Sequence, residues 1–138
     1  MLAGGLTAAT GASTACGGFP LCNGLLWPDA ASGGLAQVQW VHRLIAYSLF
    51  VYLAVLAIRA RGRASGAIGT WAWIATATAA LQVVVAAIMI LTHDETTAHH
   101  GLHAPWAIAH VAVGTAVWAA LVVLAWHGTR KDQVGAAA

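Results

Sequence analysis

The sequence predicts an all-α integral membrane protein with three transmembrane helices. Of its 138 residues, 60% are hydrophobic and 7% are charged, and the mean hydropathy is +0.77. Charges this sparse cannot cover the surface of a water-soluble domain. Three stretches, at about 38–59, 67–92 and 104–127, are each as long as the roughly 20 apolar residues that a helix needs to cross the hydrocarbon core. We therefore expect one membrane domain over residues 1–138.

The cationic residues predict the orientation of these helices. Five of the six lie at 59–63 and 130–131, which three antiparallel crossings place on one side of the membrane. By the positive-inside rule that side is cytoplasmic, together with a tail at 128–138. The segment 1–37 and the loop 93–103 then lie outside a multi-pass protein of the plasma membrane. The formal charge of +2 is too small and dispersed to indicate nucleic acid, so lipid is the expected surroundings.

The outer segment carries both cysteines. Met1 to Ala15 is small and weakly apolar, as in the end of a helix whose beginning lies upstream, although a short outer segment is an alternative. Cys16 and Cys22 enclose five residues that include Gly and Pro, so the chain can turn sharply enough for the two sulfurs to pair. We expect a disulfide there, as a structural link rather than a redox centre, with two free thiols as the alternative.

The first span opens with Gln39-Trp40-Val41-His42-Arg43. Ionisable groups inside a membrane span are costly, so they usually face the interior of a bundle and have a function there. Gln39 lies one turn above His42 on the same helical face, whereas Arg43 points about 100° away and can reach toward the outer surface. His42 is the first candidate ligand.

Further polar groups occur in the second span, in the outer loop and in the third span. Gln82, near the centre of the second span, is expected to hydrogen-bond to a neighbouring helix. The loop 93–103 has four histidines and two acidic residues, but their spacing matches no strong zinc pattern, so a solvated loop is the preferred interpretation. The third span starts near Pro105 and carries His110.

His42 and His110 are expected at one depth. Both spans run from outside to inside, and His42 is about four residues in while His110 is about six, which differ by roughly 3 Å at 1.5 Å per residue. Facing imidazoles among small residues suit the axial ligation of heme iron. Arg43 at the outer rim would pair with a heme propionate. The alternative is that each histidine merely hydrogen-bonds to a neighbouring helix.

Several short motifs resemble those of the heme A synthases, a family of cytochrome oxidase assembly. They are Gly4-Gly5-Leu6-Thr7 with Thr10-Gly11-Ala12, Ala15-Cys16 with Phe19-Pro20-Leu21-Cys22-Asn23-Gly24, His42-Arg43 with Ala46-Tyr47, Leu81-Gln82, and Ala109-His110. They cover most of the chain in the family's order.

The resemblance implies a half-length member of that family. Its three spans would form most of one heme-binding four-helix bundle, and a homo-oligomer or a larger membrane complex would supply the rest. His42 and His110 would bind the iron of a b-type heme or of heme O or heme A, and Cys16 and Cys22 would be the outer cysteine pair. The implied reaction oxidises the methyl group of heme O to a formyl group in successive steps, with electrons leaving by a heme.

Gln39 departs from the resemblance. The family's N-terminal halves carry a glutamate at this position, and an amide cannot accept a proton as a carboxylate does. The catalytic residue is thus unassigned, and the question of whether the chain is an enzyme stays open. The alternatives are a non-catalytic heme-binding subunit of a respiratory or other membrane complex, an oxidase assembly factor, and a membrane scaffold without heme.

Overall fold

The computed structural model describes residues 2–29, 34–63, 66–92 and 103–136. These residues form four α-helices and a short 3-10 helix. In chain order they are α1 (Leu2–Ala9), the 3-10 helix (Ala12–Thr14), α2 (Leu35–Arg63), α3 (Ala67–Leu91) and α4 (His103–Ala136). The predicted all-α class is confirmed, and α2, α3 and α4 are each long and apolar enough to cross a membrane.

The helix bounds differ from the predicted spans mainly at their ends. α2 begins at Leu35, a few residues before the expected start, and α4 continues to Ala136 through the predicted tail. A helix does not have to stop where the hydrocarbon ends, and no proline follows Pro105 to break α4. The loop 93–103 lies outside the described residues except for His103. The assignment of the two membrane sides stays a prediction.

α3 is the central helix of the three long ones. It packs against both α2 and α4, whereas α2 and α4 make no comparably extensive contact with each other in the described residues. Most of its buried side chains are small, namely Ala72, Ala75, Thr76 and Ala79, and Val85 is buried further along. Thr76 satisfies its hydroxyl within its own helix by donating to Ala72 O at 2.8 Å. Small residues let helix backbones approach closely in a membrane, where lipid is as apolar as a core.

The main apolar cluster lies where all three long helices meet. Leu53 of α2 packs there with Ala75 and Ala79 of α3 and with Val117 and Ala120 of α4. Larger apolar side chains elsewhere on these helices, such as Tyr52, Val84 and Trp118, are exposed. Such side chains are suited to contact with lipid, because the hydrocarbon does not penalise apolar exposure as water does.

Contacts near the helix ends give the helix directions. Arg61, late in α2, stacks over the ring of Trp73, early in α3, at 4.3 Å, and Gln82 in the second half of α3 reaches His110 near the start of α4. Both neighbouring pairs are therefore antiparallel, and α2 and α4 run parallel. At the far end of α4, Arg130 stacks over Trp126 at 4.5 Å. The cation-rich ends of α2 and α4 thus lie at one end of the bundle.

The small face of α3 predicts a position-dependent response to a larger side chain. Ala75 is fully buried, whereas Ala77, two residues along the same helix, is exposed. Ala75→Leu should destabilise helix packing by about 1–3 kcal/mol, because the added volume has no space to enter. Ala77→Leu is the matched control and should leave the unfolding free energy almost unchanged. Reversible unfolding in mixed micelles, followed by circular dichroism, measures both; equal destabilisation by the two variants would contradict the packing.

Candidate functional site

A disulfide closes the loop that precedes α2. Cys16 and Cys22 are bonded to each other and buried, which confirms the predicted disulfide. Two hydrogen bonds between Gly17 and Asn23 tie the loop at the same place: Asn23 N donates to Gly17 O at 2.9 Å, and Gly17 N donates to Asn23 Oδ1 at 2.7 Å. Gly18 has φ +70°, a left-handed conformation that glycine adopts without steric cost. The disulfide packs against Ala36 and Trp40 of α2.

Arg43 fixes this loop to α2. Its side chain is buried, and its two terminal nitrogens donate to three loop carbonyls: NH1 to Gly18 O at 2.9 Å and Leu21 O at 2.7 Å, and NH2 to Cys16 O at 2.7 Å. Hydrogen bonds from a charged donor are stronger than neutral ones. Arg43 therefore reaches back to the disulfide loop that precedes α2, and the partners described there are backbone carbonyls. Its pairing with a heme propionate stays a prediction.

Gln39 also faces the loop. Its Oε1 accepts the N–H of Cys16 at 2.5 Å, and its Nε2 donates to Ser13 O at 2.7 Å. One turn beyond Arg43, Tyr47 donates its hydroxyl to Pro20 O at 2.9 Å. Both ends of the Gln39 amide are thus used in holding the outer segment. Gln39, which occupies the position of the family glutamate, thus bonds to backbone groups of the segment before α2.

The structure brings His42 and His110 together. Their ring centroids are 6.5 Å apart and their planes cross at 79°, and both side chains are half-buried. Two imidazoles that bind one metal from opposite sides, with nitrogen–metal distances of about 2.0 Å, place their centroids roughly 6 Å apart. The two rings are arranged edge to face, one from α2 and the other from α4. Their role as ligands stays a prediction, but their separation has the size that it requires.

Three residues around the histidine pair were not identified from the sequence in this role. Gly4 of α1 lies against His42, since a Cβ there would be 3.3 Å from His42 Cε1. Gln82 contacts a neighbouring helix as predicted, and its partner is His110, with Nε2 3.1 Å from each ring nitrogen. Gly114 leaves room for the Gln82 amide. A count of residues from the ends of α3 and α4 could have identified Gln82. It lies nine residues before Leu91, the last residue of α3, and His110 lies seven residues after His103, the first residue of α4, so the two are at similar depth.

Comparison with known proteins gives one informative similarity. No protein-family model matches the chain, and no solved structure matches it. Over 133 residues, which cover 92% of this chain, it is 35% identical to a protoheme IX farnesyltransferase of Haloarcula marismortui. The aligned region is 25% of that relative, so the chain spans about a quarter of the relative's length.

The hydrogen bonds of Arg43 predict that this side chain shields the disulfide. Arg43→Met should loosen the loop, because each bond lost from a charged donor removes about 1.5–3 kcal/mol. Cys16 and Cys22, now 2% and 0% exposed, should then be reduced faster by a thiol reagent. Mass spectrometry after timed reduction and alkylation measures the rate. Arg59→Met, at an exposed arginine of the same helix, is the control, and a rate for Arg43→Met equal to that control would contradict the assignment.

Proposed function

We propose that this chain is a membrane heme-binding module of heme O and heme A biosynthesis, in which His42 and His110 would bind the heme iron. The observation that carries the proposal is the pair of imidazoles on the parallel helices α2 and α4, whose ring centroids are 6.5 Å apart. The name of the relative, protoheme IX farnesyltransferase, independently supports heme as the group that this part of the chain handles.

The residues present fit a heme. Imidazole is a common iron ligand, and the two rings come from separate helices, as a flat group held between helices requires. Gly4 removes a side chain that would otherwise press on His42. The surrounding spans are apolar, which suits a hydrophobic macrocycle and keeps water away from it. When bound, heme would supply one-electron redox chemistry at its iron.

Heme handling, rather than farnesyl transfer, is the part that we assign to this chain. A prenyl diphosphate is usually bound through Mg²⁺, which carboxylate ligands hold against the phosphates. The sequence has four acidic residues, at 29, 94, 95 and 132, and none lies in the central part of a span. The matched region is also a quarter of the relative, which leaves most of that protein outside the similarity.

The reaction we propose for the module is the one implied by its resemblance to heme A synthases, oxidation of the heme O methyl group to a formyl group. The shared motifs include both histidines and the cysteine pair, and the structure holds the cysteine loop directly above the helix that carries His42. His42 and His110 would hold the macrocycle, and α2 and α4 would orient it. Conversion of the methyl to the formyl group would take its oxygen atom from water and release four protons and four electrons, and the electrons would pass to an acceptor outside this chain.

A non-catalytic heme-binding role is the second candidate, and one observation favours it. Gln39 occupies the position of the family glutamate, and both ends of its amide bond to the outer segment. A side chain committed in this way is not free to take part in proton transfer. In this role the chain would hold heme for a partner enzyme or within an oxidase assembly complex.

Substitution of the histidines tests the heme site. The purified protein with protoheme should give the spectrum of a six-coordinate low-spin heme. His42→Ala and His110→Ala should each remove it, because one axial ligand is lost. His127→Ala, at the opposite end of α4, is the matched control and should leave the spectrum unchanged. Persistence of the low-spin signal in both single variants would exclude these residues as ligands.

Analysis of bound pigment separates the two candidate functions. Expression together with a source of heme O, followed by extraction and mass spectrometry, should give heme A if the module oxidises the methyl group. Extraction of unmodified heme O alone, from protein that retains the low-spin spectrum, would leave the non-catalytic role. His110→Ala is the control, since loss of the bound heme should abolish conversion in the first case.

A further inference from the structure

We propose that Gln82 is a positioning residue for His110, and that its side-chain carbonyl accepts the N–H of the ring nitrogen that does not bind iron. This inference rests on the proposed heme site and adds to it a residue on a third helix. Ligating histidines generally donate their second ring N–H to an acceptor, which fixes the tautomer and the orientation of the ring.

The position of the Gln82 amide supports this role. Its Nε2 lies 3.1 Å from His110 Nδ1 and 3.1 Å from His110 Nε2, so one terminal atom of the amide is within hydrogen-bond distance of either ring nitrogen. A neutral imidazole has one N–H and one lone pair, so a single neighbouring atom can serve one of these nitrogens. The other nitrogen remains for a different partner.

Iron decides which amide atom must face the ring. Once a metal takes the lone pair of one His110 nitrogen, the other nitrogen carries a hydrogen and needs an acceptor. An amide NH₂ cannot accept, whereas the amide oxygen can. The oxygen and nitrogen of a glutamine have almost the same shape, and their assignment follows from the hydrogen-bond partners. We therefore assign Oε1 to the position beside His110 when heme is bound.

The surroundings of Gln82 leave its amide available for this bond. Oε1 is buried and has no hydrogen-bond partner within the described residues, so no other described group competes for the oxygen. Gly114 faces the amide: a Cβ at this position would lie 3.2 Å from Nε2, 3.7 Å from Cδ and 3.9 Å from Oε1 of Gln82. A side chain at 114 would therefore displace the amide from His110.

Hydrogen bonding by Gln82 should alter the heme as well as the packing. An acceptor on the second nitrogen makes the imidazole a stronger electron donor, which favours ferric iron and lowers the midpoint potential. An interhelical hydrogen bond with a purely structural role has no such effect on the iron. The midpoint potential and the electron paramagnetic resonance spectrum of the ferric protein thus distinguish the two roles.

The test uses the full chain in detergent, titrated with iron protoporphyrin IX. Gln82→Leu keeps the approximate volume and removes the acceptor; it should weaken heme binding about 10- to 100-fold and raise the midpoint potential. Gly114→Ala keeps Gln82 but displaces its amide, and should change both quantities in the same direction by less. Thr76→Val is the control, because Thr76 is a buried polar residue of α3 whose described side-chain bond lies within its own helix.

The outcomes separate this inference from the proposed function. A wild-type protein without a low-spin heme signal that depends on His110 overturns both. A second outcome overturns the role of Gln82 alone: the wild type shows the low-spin signal, and Gln82→Leu and Gly114→Ala match it in heme affinity, midpoint potential and resonance spectrum. Equal shifts in Thr76→Val and Gln82→Leu also overturn it, since the effect is then general to α3. If Gln82→Leu does not fold, the shift in Gly114→Ala decides.

Discussion

The buried guanidinium of Arg43 determines how the outer segment and the first long helix are joined. A charge this far into a span is costly unless its donors find acceptors, and here three backbone carbonyls of the disulfide loop supply them. The loop carbonyls are in turn satisfied by the same bonds, as buried polar groups have to be. His42 is the adjacent residue, about 100° around the helix, and its ring lies beside His110 of α4. One turn of α2 thus holds the disulfide loop through Arg43 and brings His42 to α4.

α3 sets the geometry of the other side of the site. Its small buried residues allow α2 and α4 to approach it closely, and both helices pack against α3 more extensively than against each other. His42 and His110 lie edge to face with ring centroids 6.5 Å apart, and Gln82 reaches from α3 to His110. The central helix therefore holds the two histidine-bearing helices at their distance and also contributes a polar side chain to one histidine.

Composition and depth predicted a large part of this arrangement. Apolar length located the three spans, and counting residues from the outer ends brought His42 and His110 together. The inner faces were harder to predict, because residues that face lipid are as apolar as those that face the core, and hydrophobic periodicity is weak in such helices. The partners of Arg43 and Gln39 could not be predicted either. Both long side chains reach a loop whose path depends on turns and on hydrogen bonds that sequence spacing does not specify.

The order of the chain gives the Arg43 contacts a consequence for biogenesis. Cys16, Gly18 and Leu21 precede α2 in the sequence, so a ribosome completes all three acceptor carbonyls before it adds the arginine that needs them. The residues that satisfy the guanidinium are thus already part of the nascent chain when Arg43 is added, and an unpaired guanidinium in a span is costly. Synthesis from the N-terminus therefore provides the carbonyl acceptors before the charged side chain of Arg43 that they replace water for.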